Sequence, residues 1–234
     1  MSETILITGF EPFGGIVGNP TMDIVAALHG ARIDNRQVVG RIMPVAYDGH
    51  RLRLKALMDE VEPALVIGFG LDISARDIQL ETRAVNKADF DMPDNTGALL
   101  KNVNLDDAGP SHRIATFPIS DISTALSAAQ IKASQSMDAG RYLCNATLFH
   151  LLDLCGLKPL RPLCGFVHVP YATEQLAEMP TASARDKEFA MPLEMMIEAA
   201  RIILRRSSLA AHRTVVPVQP PSRRIWLQPA AVHG

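Results

Sequence analysis

Cys144 is the residue of this chain best suited by its surroundings to act as a nucleophile. It lies in Ala-Gly-Arg-Tyr-Leu-Cys-Asn, residues 139–145, where a turn containing Gly140 leads into a segment with apolar residues at helical spacing. Gly156 is the predicted stop signal of that helix. The unpaired amides and the dipole of a helix N-terminus stabilise a thiolate, which makes a cysteine nucleophilic at neutral pH. The sequence therefore predicts a reactive thiol at the start of a helix.

His168 and Glu81 could complete a catalytic triad with this thiol. His168 lies near the end of Cys-Gly-Phe-Val-His-Val-Pro, residues 164–170, which alternates like a short strand. Glu81 lies in a strand-like stretch, where an inward-pointing carboxylate needs a partner. In a Cys-His-carboxylate set the three roles are nucleophile, base and orienting group. Sequence spacing does not show that the three meet, and each also suits a purely structural role, so the triad is a hypothesis.

Length and composition indicate an ordinary globular protein. The 234 residues, 47% hydrophobic and 21% charged, suit one domain with a sizeable core, and the formal net charge of −2 predicts no binding to nucleic acid or to an anionic membrane. The first residues lack the features of a signal peptide, and the apolar runs are too short to cross a bilayer. The three cysteines lack disulfide-framework spacing, so we expect a cytoplasmic protein with Cys155 and Cys164 as core thiols.

Strand and helix signals alternate along the chain, which is typical of βαβ units. We expect a single-domain, three-layer α/β/α fold with a twisted, mostly parallel central sheet. Extended segments are predicted at residues 4–8, 37–45, 64–68, 78–86 and 165–169, and helices at residues 21–28 with Thr21 as cap, 47–61, 121–133, 144–155 and 192–206. The catalytic domain is thus predicted to cover residues 1–206. Residues 207–234, which include several prolines, arginines and Trp226, are predicted to form a C-terminal tail.

The loop after the first strand is the best candidate for a binding pocket. Gly-Phe-Glu-Pro-Phe-Gly-Gly, residues 9–15, follows a strand end, where α/β proteins bind ligands. The loop lacks the lysine of a P-loop and the three-glycine spacing of a dinucleotide site. Phe10 and Phe13 are either loop anchors or the walls of a flat apolar pocket. The scattered histidines and the absence of Cys-x-x-Cys predict no metal site, and we predict no cofactor.

Taken together, six ordered motifs resemble the pyroglutamyl peptidase I family, whose members are also called pyrrolidone-carboxylate peptidases. The resemblance extends over residues 4–206. The motifs are Ile-Thr-Gly-Phe-Glu-Pro-Phe-Gly-Gly with Asn19-Pro20-Thr21, Met43-Pro44-Val45, Glu81 with Ala84-Val85-Asn86, Pro93-Asp94-Asn95-Thr96-Gly97, and the segments 139–145 and 165–170 that carry Cys144 and His168.

The resemblance implies a cytoplasmic α/β enzyme, often a homotetramer, that removes an N-terminal pyroglutamyl residue from peptides. It implies that Cys144 is the nucleophile, His168 the base and Glu81 the orienting carboxylate. It assigns the lactam ring of the substrate to Phe10 and Phe13, and further pocket positions to Asn19 and Leu143.

One segment departs from the family pattern. Where the family usually carries Gln-Ala-Gly-Gly-Arg before the glutamate, this chain has Leu-Asp-Ile-Ser-Ala at residues 71–75, and Thr82 replaces a common arginine. A β-branched Ile73 cannot adopt the conformations of glycine cheaply, so we expect weaker catalysis than in a glycine-bearing relative. Two alternatives stay open. One is a cysteine amidohydrolase acting on another cyclic or capped amide, and the other is a noncatalytic binding protein of the same fold.

Overall fold

A seven-stranded sheet lies at the centre of the computed structural model, which describes residues 3–178 and 189–213. In spatial order its strands are β2 (Arg32–Ile33), β3 (Arg36–Met43), β1 (Thr4–Phe10), β4 (Leu65–Leu71), β9 (Leu163–Val169), β5 (Ile78–Glu81) and β8 (Ala133–Ser136). Strands β3, β1, β4 and β9 run parallel, whereas β2 is antiparallel to β3 and β5 is antiparallel to β9. The prediction of a mostly parallel sheet is therefore confirmed.

Helices cover both faces of this sheet. They are α1 (Pro20–Leu28), α2 (His50–Val61), α3 (Ile119–Ala128), α4 (Leu143–Leu157), α5 (Thr173–Glu178) and α6 (Leu193–Arg213). Buried side chains of α1, α3 and α6 pack on one face, and those of α2 and α4 pack on the other. In β1, Ile5 and Ile7 contact the first group and Leu6 contacts the second, as expected of a central strand buried on both sides. The predicted three-layer α/β/α fold is confirmed.

Among the described residues, two short ladders lie outside the main sheet. Strand β6 (Arg83–Val85) pairs with β7 (His112–Ile114), and β10 (Tyr171–Ala172) pairs with β11 (Ala190–Met191). The predicted extended segment 78–86 is thus divided between the central sheet, through β5, and the first of these ladders, through β6.

The start of α1 differs from the prediction. The helix begins at Pro20, and its cap is Asn19 rather than Thr21, because the Asn19 Oδ1 accepts the backbone N–H of Thr21 at 3.1 Å. Proline suits the first helical position, since its fixed φ is helical and its missing N–H has no partner to lose there. The cap holds Asn19 at the end of the loop that carries Phe10 and Phe13.

Several other predicted boundaries were wrong for local reasons. Helix α2 begins at His50 instead of residue 47, because Gly49 has a left-handed φ of 66°. The predicted helix 121–133 ends at Ala128, and after Gln130, whose φ is 59°, the chain enters β8. Helix α4 continues one residue past Gly156, and β4 continues past residue 68 to Leu71.

The last helix also runs further than predicted. It continues to Arg213 instead of ending at Arg206, and Ser207 and Ser208 are fully buried. Arg36 holds this part of the helix, because its Nη1 donates to the Ser208 carbonyl at 3.1 Å and to the Ser208 Oγ at 2.8 Å. The predicted division after residue 206 therefore falls inside a helix. Residues 214–234, with Trp226, lie outside the described part, so the tail stays a prediction. None of the helices described here is long and apolar enough to span a bilayer.

Candidate active site

Cys144 is the second residue of α4, at the end of the helix where backbone amides point outwards. Gly140, with a φ of 77°, turns the chain before the helix, and the extended Tyr142 precedes its first residue, Leu143. In the described structure no side chain caps this end. The amides of the first turn therefore have no side-chain cap, and the Cys144 thiol at this end of the helix is partly exposed. This end of the helix dipole stabilises a thiolate and could also hold an oxyanion.

His168 and Glu81 form a buried pair on neighbouring strands. His168 lies near the end of β9, Glu81 ends the antiparallel strand β5, and the His168 Nδ1 is 2.7 Å from the Glu81 Oε1. His168 is 5% exposed and Glu81 is fully buried. The other carboxylate oxygen, Oε2, is buried and has no hydrogen-bond partner among the described residues. The bond to Nδ1 therefore fixes the imidazole ring and leaves Nε2 as the nitrogen free to exchange a proton.

The Cys144 sulfur lies close to His168, above strand β4. Gly70 is the register partner of His168, and a Cβ built on Gly70 would lie 2.8 Å from the Cys144 Sγ. Burial lowers the pKa of His168, but the charge of Cys144 and hydrogen bonds to Cys144 and Glu81 raise it to about 10. The imidazole therefore holds a proton at neutral pH, as in the thiolate–imidazolium form of a cysteine nucleophile. The structure brings all three residues of the predicted triad together.

Asn145 fixes the start of α4 relative to the strands. Its side chain is fully buried, its Oδ1 accepts the Val85 N–H at 2.8 Å, and its Nδ2 donates to the carbonyls of Val85 at 2.9 Å and Lys87 at 2.8 Å. These bonds tie the residue after the nucleophile to β6, which directly follows the β5 strand of Glu81. Asn145 was not predicted to have this role, although a polar residue in the first turn of an otherwise apolar helix was a usable signal.

A small pocket opens beside the sulfur. It is lined by Phe10, Phe13, Asn19, Val45, Leu71, Tyr142, Leu143 and Cys144. All four of the predicted substrate-binding residues are in this set, next to the nucleophile. Val45, Leu71 and Tyr142 were not predicted as pocket residues. Val45 and Leu71 come from other segments of the chain, whereas Tyr142 directly precedes the predicted Leu143.

Aromatic rings form much of the pocket wall. The rings of Phe13 and Tyr142 have centroids 6.1 Å apart, and Tyr142 packs edge-on against Phe90 at 4.4 Å. Burial, followed by the nearby charges of Asp94 and Cys144, raises the pKa of Tyr142 to about 12. The phenol therefore stays neutral at physiological pH, and its hydroxyl donates to the Pro93 carbonyl at 3.2 Å. A flat, uncharged ligand suits such walls.

Asn19 is the polar side chain of the pocket. Its Oδ1 is occupied by the N–H of Thr21 and by the Thr21 hydroxyl, at 3.1 and 2.8 Å. Its Nδ2 donates to the Glu11 carbonyl at 3.2 Å, which uses one of the two amide hydrogens. The second hydrogen can be donated to a ligand carbonyl.

The altered segment 71–75 is a compact turn at the pocket edge. Leu71 is buried with Tyr171 and Leu176 in a cluster against which Phe13 packs. Asp72 Oδ1 accepts both the N–H and the hydroxyl of Ser74 at 2.8 Å. Ile73 is 42% exposed and is not one of the residues with positive φ. The conformational reason for expecting weaker catalysis therefore does not hold at Ile73.

The other two cysteines lie in the core of the described structure. Cys155 and Cys164 are free and buried, as predicted for core thiols. Within residues 3–178 and 189–213, no three histidine, cysteine, aspartate or glutamate side chains are grouped so that they could hold a metal ion.

Known proteins resemble this chain over almost the whole described range. A family model for pyroglutamyl peptidase matches residues 3–208. The pyrrolidone-carboxylate peptidase of Pyrococcus furiosus is 34% identical over 200 residues, 86% of this chain and 95% of the relative, and that of Pseudomonas fluorescens is 35% identical over 213 residues, 91% and 94% of the two chains. The solved pyrrolidone carboxyl peptidase of Thermococcus litoralis has a TM-score of 0.85 at 32% identity and covers 94% of this chain and 99% of its own. These matches span the same segments as the six sequence motifs.

Proposed function

Because the chain belongs to the pyroglutamyl peptidase family, we propose that it is a cysteine peptidase that hydrolyses the amide bond after an N-terminal pyroglutamyl residue. The observation that carries the proposal is that Cys144 lines the same pocket as Phe10 and Phe13. A pyroglutamyl residue has a neutral lactam in place of a charged amine. Its binding therefore needs flat apolar walls and a few hydrogen bonds, and it needs no acidic anchor.

The lactam ring would lie between the aromatic walls of the pocket. Phe10 and Phe13 would contact its flat faces, and Leu143 would contact its edge. The free hydrogen of the Asn19 Nδ2 would be donated to the lactam carbonyl. The scissile carbonyl would then lie beside the Cys144 sulfur, which also borders the pocket.

Acylation would use the charged pair of Cys144 and His168. The thiolate attacks the pyroglutamyl carbonyl carbon, a C–S bond forms, and the carbonyl electrons move to oxygen. Amides of the first turn of α4 stabilise that oxyanion. As the tetrahedral intermediate collapses, the C–N bond breaks and the His168 imidazolium gives its proton to the leaving amine. The products of this step are the shortened peptide and a thioester.

Deacylation would use the neutral imidazole left by the first step. His168 takes a proton from water as the water oxygen attacks the thioester, and collapse of the second intermediate releases pyroglutamate and the thiolate. Glu81 keeps the ring in the correct orientation through its 2.7 Å contact with Nδ1, and its charge stabilises the imidazolium.

We also propose that the protein works in the cytoplasm as a homo-oligomer, as its family resemblance implies. Three free cysteines suit a reducing compartment. Exposed Leu52, Leu157 and Leu160 are apolar surface available for contacts between copies. Light scattering after size-exclusion chromatography measures the number of subunits. A variant ending at Arg213 tests the C-terminal tail, and we expect this variant to keep the turnover of the full chain.

The proposed activity is tested by release of a fluorophore from pyroglutamyl-aminomethylcoumarin. We expect turnover of this reporter without added metal, and none of prolyl-aminomethylcoumarin, whose ring has the same size but carries a charged amine. Cleavage of acetyl-capped reporters without cleavage of the pyroglutamyl reporter would instead support an amidohydrolase of another specificity. EDTA should leave the activity unchanged, whereas iodoacetamide should abolish it.

A further inference from the structure

Glu11 lies between the two phenylalanines of the pocket but does not line the pocket itself. The walls of the pocket come from separate parts of the chain. Phe10 ends β1, and Phe13 and Asn19 belong to the connection from β1 to α1, whereas Val45 follows β3. The width of the pocket between these segments therefore depends on the contacts that join them.

Glu11 joins these segments through both its backbone and its side chain. Its N–H donates to the Met43 carbonyl at 3.1 Å, and its carbonyl accepts the Asn19 Nδ2 at 3.2 Å. Its Oε1 accepts the Val45 N–H at 2.9 Å and the Asn95 Nδ2 at 2.8 Å. One carboxylate oxygen thus connects the loop of one wall to the backbone of the other.

Asn95 also links Glu11 to Val45 through hydrogen bonds. Its backbone N–H donates to the Val45 carbonyl at 2.9 Å, and its Nδ2 donates a second time, to the Pro12 carbonyl at 2.9 Å. Asp94 holds the turn that presents Asn95, because its Oδ1 accepts the N–H groups of Thr96 and Ala98, both at 2.9 Å. Asn95 is therefore held by a fixed turn before it meets Glu11.

We propose that Glu11 is a positioning residue of the pyroglutamyl pocket, which it serves by holding the Phe10–Asn19 wall at a fixed distance from Val45. This inference rests on the proposed function. An ionised acceptor forms stronger hydrogen bonds than a neutral one, and two N–H groups converge on this oxygen. Glu11 takes no part in the bond-making steps, so its loss should weaken lactam binding and leave the thiol intact.

The test compares Glu11→Ala with Glu11→Gln, in parallel with Glu198→Ala, which removes an exposed carboxylate from α6 as a matched control. Three quantities are measured: kcat and KM for pyroglutamyl-aminomethylcoumarin, inhibition by 2-pyrrolidone as the lactam alone, and the rate of Cys144 alkylation by iodoacetamide. Glutamine keeps an oxygen at the position of Oε1 and should retain most of the activity.

We expect Glu11→Ala to lower kcat/KM about tenfold to a hundredfold, the scale of one lost hydrogen bond to a charged group, mainly through KM. Inhibition by 2-pyrrolidone should weaken by a similar factor, while the alkylation rate stays close to that of the parent. Asn95→Ala should have an effect in the same direction, and the double variant should lose less than the product of the two single losses.

Equal KM and equal 2-pyrrolidone inhibition in Glu11→Ala and the parent would overturn the role of Glu11. Equal slowing of alkylation and turnover would also overturn it, because the effect would then lie in the nucleophile. A parent protein without pyroglutamyl turnover would instead contradict the proposed function, so the two failures can be told apart.

Discussion

The Cys144 sulfur lies against the backbone of Gly70. A Cβ at position 70 would be 2.8 Å from Sγ and 2.9 Å from the ring of Phe166. Gly70 is also the register partner of His168, so the same point of β4 borders both the nucleophile and its base. The absence of a side chain at residue 70 therefore determines whether the sulfur can approach the imidazole.

Gly70→Ala should abolish most of the activity and leave a folded protein. The added methyl group displaces the sulfur from His168, and we expect an overpacking cost of about 1–3 kcal/mol in the free energy of unfolding. Gly156→Ala is the matched control, since a Cβ there meets no atom within 4 Å. That variant should keep its activity and gain roughly 0.5–1 kcal/mol of stability, because alanine favours the helix. Full turnover by Gly70→Ala would show that the sulfur does not work from this position.

Glu81→Gln should shift the alkaline limit of activity to lower pH. The leaving amine needs the proton of His168, whose pKa burial lowers but Cys144 and Glu81 raise to about 10. Activity should therefore fall as the pH rises through that value. Because Glu81→Gln removes the negative charge at Oε1, the imidazolium is less stable and the fall should come earlier. The pH profile of kcat/KM measures this, and coincident profiles for the parent and Glu81→Gln would refute the orienting role.

The raised pKa of His168 also makes the free energy of unfolding depend on alkaline pH. For a base whose folded pKa lies above its unfolded value, the stabilisation is complete below the unfolded value of 6.5 and is lost as the pH rises through about 10. Because His168 holds a proton that Cys144 has given up, the parent should lose stability only as the pH nears about 10, and His168→Gln should lose less over that range. Urea unfolding followed across this range measures both slopes.

Two other histidines should make the fold sensitive to acid. Burial, with repulsion from neighbouring cations, lowers the pKa of His50 to about 3 and that of His150 to about 4. Only the unfolded chain takes up protons at these residues as the pH falls below 6.5. Stability should therefore fall by up to about 2.7 kcal/mol per pH unit, for two protons, until the pH nears the folded values.

Urea unfolding between neutral pH and the onset of carboxylate titration measures this acid slope. Replacing His112, whose side chain is exposed, with Asn should leave the slope unchanged. A flat stability profile in the parent would mean that His50 and His150 are protonated in the folded state.

Phe13→Ala should impair the pocket without disturbing the triad. Truncation removes flat surface that contacts both the Tyr142 ring and the cluster around Leu71. A loss of about 2–4 kcal/mol in transition-state binding follows from the area removed, and it should fall on kcat/KM for pyroglutamyl substrates. Ile73→Gly, on the exposed turn nearby, should leave kcat/KM unchanged. If Phe13→Ala kept full pyroglutamyl turnover, the lactam would have to bind elsewhere.

Much of the site could be predicted from local sequence. Cys144 follows a glycine turn and opens a helix, and His168 lies in an alternating strand, so the type of element that carries each residue was readable. The cap of α1 was less certain, because asparagine and threonine cap helices almost equally well, and Pro20 at the first helical position favours Asn19.

Features that depend on distant contacts could not be read from the sequence. Nothing in the alternation of residues 78–81 shows that β5 runs antiparallel to β9, yet that pairing brings Glu81 to His168. Val45 and Tyr142 meet Phe13 only through the fold. Ser207 and Ser208 are weak helix formers by propensity, and the contact with Arg36 lies 172 residues away in sequence.

The central claim is that Cys144 attacks a pyroglutamyl carbonyl, and its most direct test is the mass of the enzyme quenched during turnover. We predict that the parent, mixed with a pyroglutamyl reporter and stopped in acid, carries one pyroglutamyl group, that peptide mapping places it on Cys144, and that hydroxylamine removes it as expected of a thioester. Cys144→Ala should carry no such group, whereas Cys164→Ala should carry it as the parent does. Turnover of the reporter by Cys144→Ala, or an acyl group mapped to any other residue, would contradict the account.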